Sequence, residues 1–338
     1  MDQHRIGLRR SGWAWLRLGG GLSILAVLIW RVGTGPIVRG LRETSIGALA
    51  IAVAITAVTT LCAAWRWQTV ARGLGTRLAL GPAFAAYYRS QFLNTTLPGG
   101  VLGDVHRGVA HGREVEDVGR ALRAVAWERC AGQAVQVLIA VAVLLIAPSP
   151  VQAAMPYVVT GLLAAVGLAA FMVGSATPRA RAANSRWAQL VETAAADIRN
   201  GVLARTAWPR IAAASVVIVA GHTAVFLLAV RSSGSTASTF RLLPLAMLVL
   251  LAMVIPTSVG GWGPREGVAA WLFSAAGLGA ATGLSAATAY GLMVVLASLP
   301  GAAVMVVVVF RQRRRRRPVA AATTDWSLNS SPAAVVHA

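Results

Sequence analysis

The chain has 338 residues, 57% of them hydrophobic, with uncharged runs over 46–65, 157–176 and 267–310. A spanning helix needs about 20 mostly apolar residues, so a bilayer is the expected solvent and no room remains for a soluble catalytic domain. The formal charge of +20 is carried by arginine without any lysine, in loops between apolar runs and with no basic groove or aromatic platform, which excludes a nucleic-acid partner and turns the charge into a topology signal.

In chain order, the basic start and apolar core of the first thirty residues lack a small-residue cleavage site and predict an uncleaved helix over 13–30. Further full spans are predicted over 46–65, 124–147, 157–176, 211–230 and 285–310. Two segments, 82–97 and 242–255, are interrupted and short, reaching about 24 and 21 Å of a roughly 30 Å hydrocarbon core. "AWRWQ" (64–68) reads as an interfacial anchor of tryptophan and snorkelling arginine. Neither Cys62 nor Cys130 has a partner at metal-ligand spacing, and both read as small buried hydrophobes.

The first interruption lies in "YYRSQFLNTTLPGGVLGDVHRG" (87–108). Gln91, Asn94 and Thr95 share one helical face. Pro98 removes a backbone donor, Gly99, Gly100 and Gly103 permit a turn, and Asp104 can pair with Arg107 if a helix resumes. In "AVAWERCAGQAVQV" (124–137), Glu128 and Arg129 open a long apolar helix, and Arg129, Gln133 and Gln136 continue along one face. The arginine-rich loop 177–206 contains a stretch that reads as a surface amphipathic helix with Trp187, Leu190, Ile198 and Leu203 towards lipid. His222, in the middle of a span, is expected to pack against a helix partner.

The second interruption is "VIPTSVGGWGPREG" (254–267). Pro256, Gly260, Gly261 and Gly263 break a helix at depth, and Pro264 suits the first turn of the next. Free amides at that start beside Arg265 suit an anion such as a lipid phosphate, with Glu266 neutralising Arg265 when the site is empty. The alternative is that both stretches are polar turns at the membrane surface holding local ion pairs.

Counting arginines by side makes 82–97 a re-entrant hairpin, because a full crossing would put the six arginines of 179–210 outside. The stretch 242–283 enters from the other face, either as a hairpin or as two short crossings. The expected fold is therefore all-α and polytopic: about six full spans plus two re-entrant hairpins, or eight spans, with a possible inverted pseudo-repeat. A membrane domain fills 1–310, with 177–206 as a cytoplasmic loop within it and 311–338 as a basic end and disordered tail. Both termini are expected on the cytoplasmic side of a bacterial inner membrane.

At "RW" (66–67), "FLNTTLPGGVLGDVHR" (92–107), "ER" (128–129) and "PTSVGGWGPREG" (256–267), the sequence resembles the flippase-like transmembrane domain of lysylphosphatidylglycerol synthases, in matching order across most of 40–310. Trp262 and Pro264 depart from what members often carry there. The resemblance implies transfer of a phospholipid, or of an aminoacylated one, between leaflets. Full-length synthases continue into an aminoacyl-transferase domain; here the chain ends about thirty residues after its last predicted span, so synthase activity is expected to be missing.

A lipid translocator is the leading expectation, with a headgroup held by Arg265, Arg107 and Arg129 and by glycine amides. Asp104, Glu128 and Glu266 would position those arginines or meet a cationic headgroup. The expected partners are a phospholipid or lipid-linked substrate and the membrane, with a homo-oligomer or an envelope-synthesis partner left open. No cofactor, metal site or catalytic residue is expected, since no nucleophile elbow, phosphate loop, zinc-helix motif or pair of Asp-rich metal motifs occurs. Two other classes stay open: a membrane transferase or hydrolase with Glu128 or Asp104 as base, and an accessory subunit of an envelope-synthesis complex.

Overall fold

The computed structural model describes residues 44–97, 100–165, 186–253 and 263–316, with positions 30, 34, 35, 38, 42, 167, 168 and 171. Among these residues all regular structure is helical. Positions 13–29 of the predicted span 13–30 and the tail beyond 316 lie outside them, as do Pro98, Gly99, Pro256, Gly260 and Gly261.

Among the described residues, four helices are long and apolar enough to cross a membrane: α1 (Ile46–Gly73), α4 (Val118–Ile146), α7 (Trp208–Ser232) and α10 (Ala280–Arg316). Shorter helices fill the intervals: α2 (Leu80–Thr96), α3 (Leu102–Glu114), α5 (Gln152–Ala165), α6 (Arg186–Asp197), α8 (Thr239–Ala252) and α9 (Pro264–Ala275). Their starts are capped where free amides need acceptors: Ser45 accepts from the Ala48 N–H, Asp117 from Arg120 and Ser238 from Arg241. Pro209 and Pro264 sit in the first turns of α7 and α9, where a missing donor costs nothing.

Helix α1 runs about two turns past its predicted end at 65, to Gly73, because "RWQTVA" (66–71) keeps its side chains inside the protein instead of at an interface. Cys130 is also not buried as expected; it is exposed on the outer face of α4. Helix α6 passes into one π turn, Ile198–Val202, and leaves Leu190 and Leu203 exposed as its amphipathic pattern predicts. Its end is fixed by Asp197, which accepts from Arg123 Nε at 2.8 Å and Trp127 Nε1 at 3.2 Å.

Both interrupted segments return the way they came. In the first, Gly103 of α3 lies so close to α2 that a Cβ there would fall 2.1 Å from the Ser90 carbonyl oxygen. In the second, the guanidinium of Arg241 at the start of α8 donates to the carbonyl of Ala276 just past α9, so the two outer ends meet. That contact sets α8 and α9 antiparallel, as a hairpin or two short crossings within 242–283 both require.

Helix α10 is the shared spine of the two hairpins. Gly301 admits α2, where a Cβ would meet the Tyr88 carbonyl oxygen at 2.2 Å, and Gly283 admits α9, where it would meet that of Ala269 at 2.3 Å. The two glycines are about 27 Å apart along the helix at 1.5 Å per residue, so the hairpins approach from opposite ends of the spine. Small residues at these crossings are the expected glue where lipid supplies no hydrophobic drive between helices. Gly221 does the same between α7 and Thr59 of α1. An aromatic cluster of Phe226, Phe273 and Tyr290, with edge-on contacts at 6.5 and 5.7 Å, ties α7, α9 and α10 together.

Candidate functional site

The polar residues of α1, α3 and α4 form one chain of ion pairs inside the bundle. Arg66 reaches from α1 to Glu128 Oε1 with Nε at 2.9 Å and Nη2 at 2.6 Å, and donates to Ser215 Oγ at 2.9 Å. Arg107 takes the other Glu128 oxygen at 2.6 Å and Asp104 Oδ1 at 3.0 Å. Arg129 closes the series on Asp104 Oδ2 at 2.6 Å. The Arg107 guanidinium is held between the rings of Trp67 and Tyr87, at 4.6 and 4.3 Å from their centroids. Room for Arg66 comes from Gly132, whose Cβ would fall 2.4 Å from Nη1. Glycine here serves a side chain and not a turn.

Asn94 joins the two sides of the first break. Its Oδ1 accepts from the Gly103 N–H at 2.8 Å and its Nδ2 donates to Asp104 Oδ2 at 3.1 Å, so the amide caps α3 and steadies the carboxylate together. The start of α9 is capped from within: Glu266 Oε2 accepts from the Gly263 N–H at 2.7 Å, while its other oxygen takes Arg265. Gly263 has φ +110°, a conformation open to glycine. The anion expected at this helix start is thus supplied by the chain itself, and Arg265 packs over the Tyr290 ring at 5.4 Å.

Where the hairpins meet the long helices there is a cavity of about 280 Å³. Hairpin residues Gln91, Asn94, Thr95, Gly100, Met253 and Arg265 contribute to its wall. Arg129, Gln133 and Gln136 line it as one face of α4, Thr56, Thr59 and Arg66 as one face of α1. His222 and Tyr290 complete it, hydrogen-bonded to each other at 3.1 Å, which gives the expected packing partner of His222 a name.

The predicted site residues separate into two groups. Arg265, Arg129, Asn94 and Gly100 lie in the cavity wall. Arg107, Asp104, Glu128 and Glu266 stand behind it, buried and engaged with one another or with wall residues. Arg107 is fully buried and lies between two carboxylates and two rings, so it organises the site and does not reach into it. The "AWRWQ" anchor reading is corrected: Arg66 and Trp67 are 6% and 1% exposed, and Arg66 belongs to the wall. The missed signal was a pair four residues apart, Glu128 and Gly132, which places a carboxylate beside a gap on one helical face.

A family model described as the lysylphosphatidylglycerol synthase TM region matches residues 14–301. That range contains every residue of the ion-pair series and of the cavity wall. No curated protein matches the chain.

Proposed function

The chain belongs to the lysylphosphatidylglycerol synthase TM region family, and on that premise we propose that this multi-pass membrane protein moves a phospholipid or lipid-linked intermediate between leaflets. The headgroup crosses through the polar cavity while the acyl chains stay in lipid. The observation that carries the reading is the position of Arg129: its side chain is 38% exposed, it lines the cavity, and Asp104 holds one of its terminal nitrogens while Nε has no partner among the described residues. A charged side chain inside a bundle is costly unless a partner or a substrate pathway uses it. Hairpins that approach from opposite ends and meet beside such a side chain are an arrangement suited to alternating access.

At about 280 Å³ the cavity is near the lower end for small-molecule pockets, roughly 300–1,000 Å³, and suits a headgroup without its tails. Purified protein reconstituted into liposomes with fluorescent phospholipids tests the reading. Protein-dependent loss of leaflet asymmetry supports it, and equal movement with and without inserted protein overturns it.

A further inference from the structure

The charges and rings around the cavity distinguish one class of headgroup from another. Among the described residues, three guanidiniums, those of Arg66, Arg129 and Arg265, stand in the wall, and no carboxylate does. In the connected series, Arg66, Arg107 and Arg129 face only Asp104 and Glu128, a surplus of one positive charge among the described residues. A buried positive surplus is relieved by one negative guest.

An ammonium is held most strongly by a carboxylate or a free aromatic face. The carboxylates stand behind the wall with guanidiniums on them, and the two tyrosine rings of the wall are taken, Tyr87 by Arg107 and Tyr290 by Arg265. The rest of the polar wall is amide and hydroxyl chemistry: Gln91, Gln133, Gln136 and Ser298 line the cavity, Gln91 Oε1 accepting from Thr60 and Ser298 donating to the Val295 carbonyl, while the buried Gln133 Oε1 has no hydrogen-bond partner among the described residues. Such groups suit hydroxyls.

We propose that the cavity takes a monoanionic phosphate ester bearing neutral hydroxyls, such as a phosphoglycerol or phosphosugar headgroup, and refuses cationic aminoacylated and amine-bearing headgroups. This rests on the lipid-transfer reading and narrows its substrate. The phosphate docks on Arg129, with Arg66 and Arg265 completing a positive field, and the hydroxyls meet the glutamines of α2 and α4.

The test is a headgroup series in liposomes containing the wild-type protein: phosphatidylglycerol, phosphatidylinositol, phosphatidylethanolamine and lysyl-phosphatidylglycerol with matched labelled chains. The two hydroxylated anions are expected to move at least about tenfold faster than the two amine-bearing lipids, as like-charge placement is strongly disfavoured. Equal rates for all four, or a faster lysylated lipid, overturn the headgroup class and leave translocation standing. Movement of none overturns the translocation reading itself. In parallel, the phosphodiester glycerophosphoglycerol is added to the protein in detergent: stabilisation by this soluble ester without movement of any lipid assigns the site to a soluble anion and overturns the lipid source. A converse variant, Gln136→Glu, puts a carboxylate in the wall and should shift the preference towards the lysylated lipid; an unchanged preference in a folded variant counts against the proposal.

Discussion

Arg107 Nη2 lies 2.6 Å from Glu128 Oε2, and neither side chain has any exposure. This pair joins the first hairpin to a full-length helix and gives Glu128 a second cation besides Arg66. Removing one partner of a buried pair costs about 3–5 kcal/mol, because the remaining charges lose compensation in a medium that cannot solvate them. Glu128→Gln should therefore lower the midpoint of thermal unfolding in detergent far more than the change of an exposed acid such as Glu114→Gln. Equal midpoints for the two variants would refute the role given to Glu128.

The close approaches along α10 lead to a second expectation. Gly301→Val and Gly283→Val each place atoms where a backbone carbonyl already sits, at 2.2 and 2.3 Å from the first added carbon, and overpacking of this kind costs about 1–3 kcal/mol. Gly161→Val, with nothing within 4 Å of its Cβ position, is the matched control. Thermal unfolding of the three variants checks this, and a destabilised control with unaffected spine variants would contradict the packing.

Asn94 makes two bonds across the first break, so Asn94→Ala leaves the Gly103 N–H without its acceptor and takes one of several donors from Asp104. The expected loss is about 1–3 kcal/mol. Hydrogen exchange should rise locally at 100–104, while α7 amides keep their protection; uniform change across both regions would show that Asn94 holds more than the break.

Opposed hairpins also predict opposite accessibility. In a background with Cys62→Ala and Cys130→Ala, single cysteines replacing Arg77 and Arg113 should react with a membrane-impermeant thiol reagent from one face, and those replacing Thr236 and Ser274 from the other. By the arginine count the first face is the expected cytoplasmic one. Labelling of all four from one side would rule out the arrangement.

Much of this architecture was legible in local patterns. The polar faces Gln91, Asn94, Thr95 and Arg129, Gln133, Gln136 follow from helical spacing, and both sets line the cavity. The arginine distribution was enough to suggest hairpins entering from opposite faces. Arg66 was misread because its partner lies 62 positions away and nothing within "AWRWQ" reveals Glu128. Arg107 was expected to touch a headgroup for the same reason: its pairing with Asp104 is local, whereas Glu128 and the Trp67 and Tyr87 rings reach it through the fold. At the second break the sequence suggested amides free for an anion, but the Gly263 amide belongs to Glu266. Side chains that answer one another across helices leave little trace in linear spacing.

If the cavity guanidiniums hold the moving headgroup, the loss of Arg129 should show it first, because Arg129 lines the cavity and is less buried than Arg107. Rates of labelled phosphatidylglycerol movement should be compared in liposomes holding equal amounts of wild-type, Arg129→Gln and Arg265→Gln protein, each checked for folding by its unfolding midpoint. Loss of one charge-assisted contact of about 1.5–3 kcal/mol corresponds to a fall of roughly ten- to hundredfold. Folded Arg129→Gln protein that moves the lipid at the wild-type rate would contradict the account.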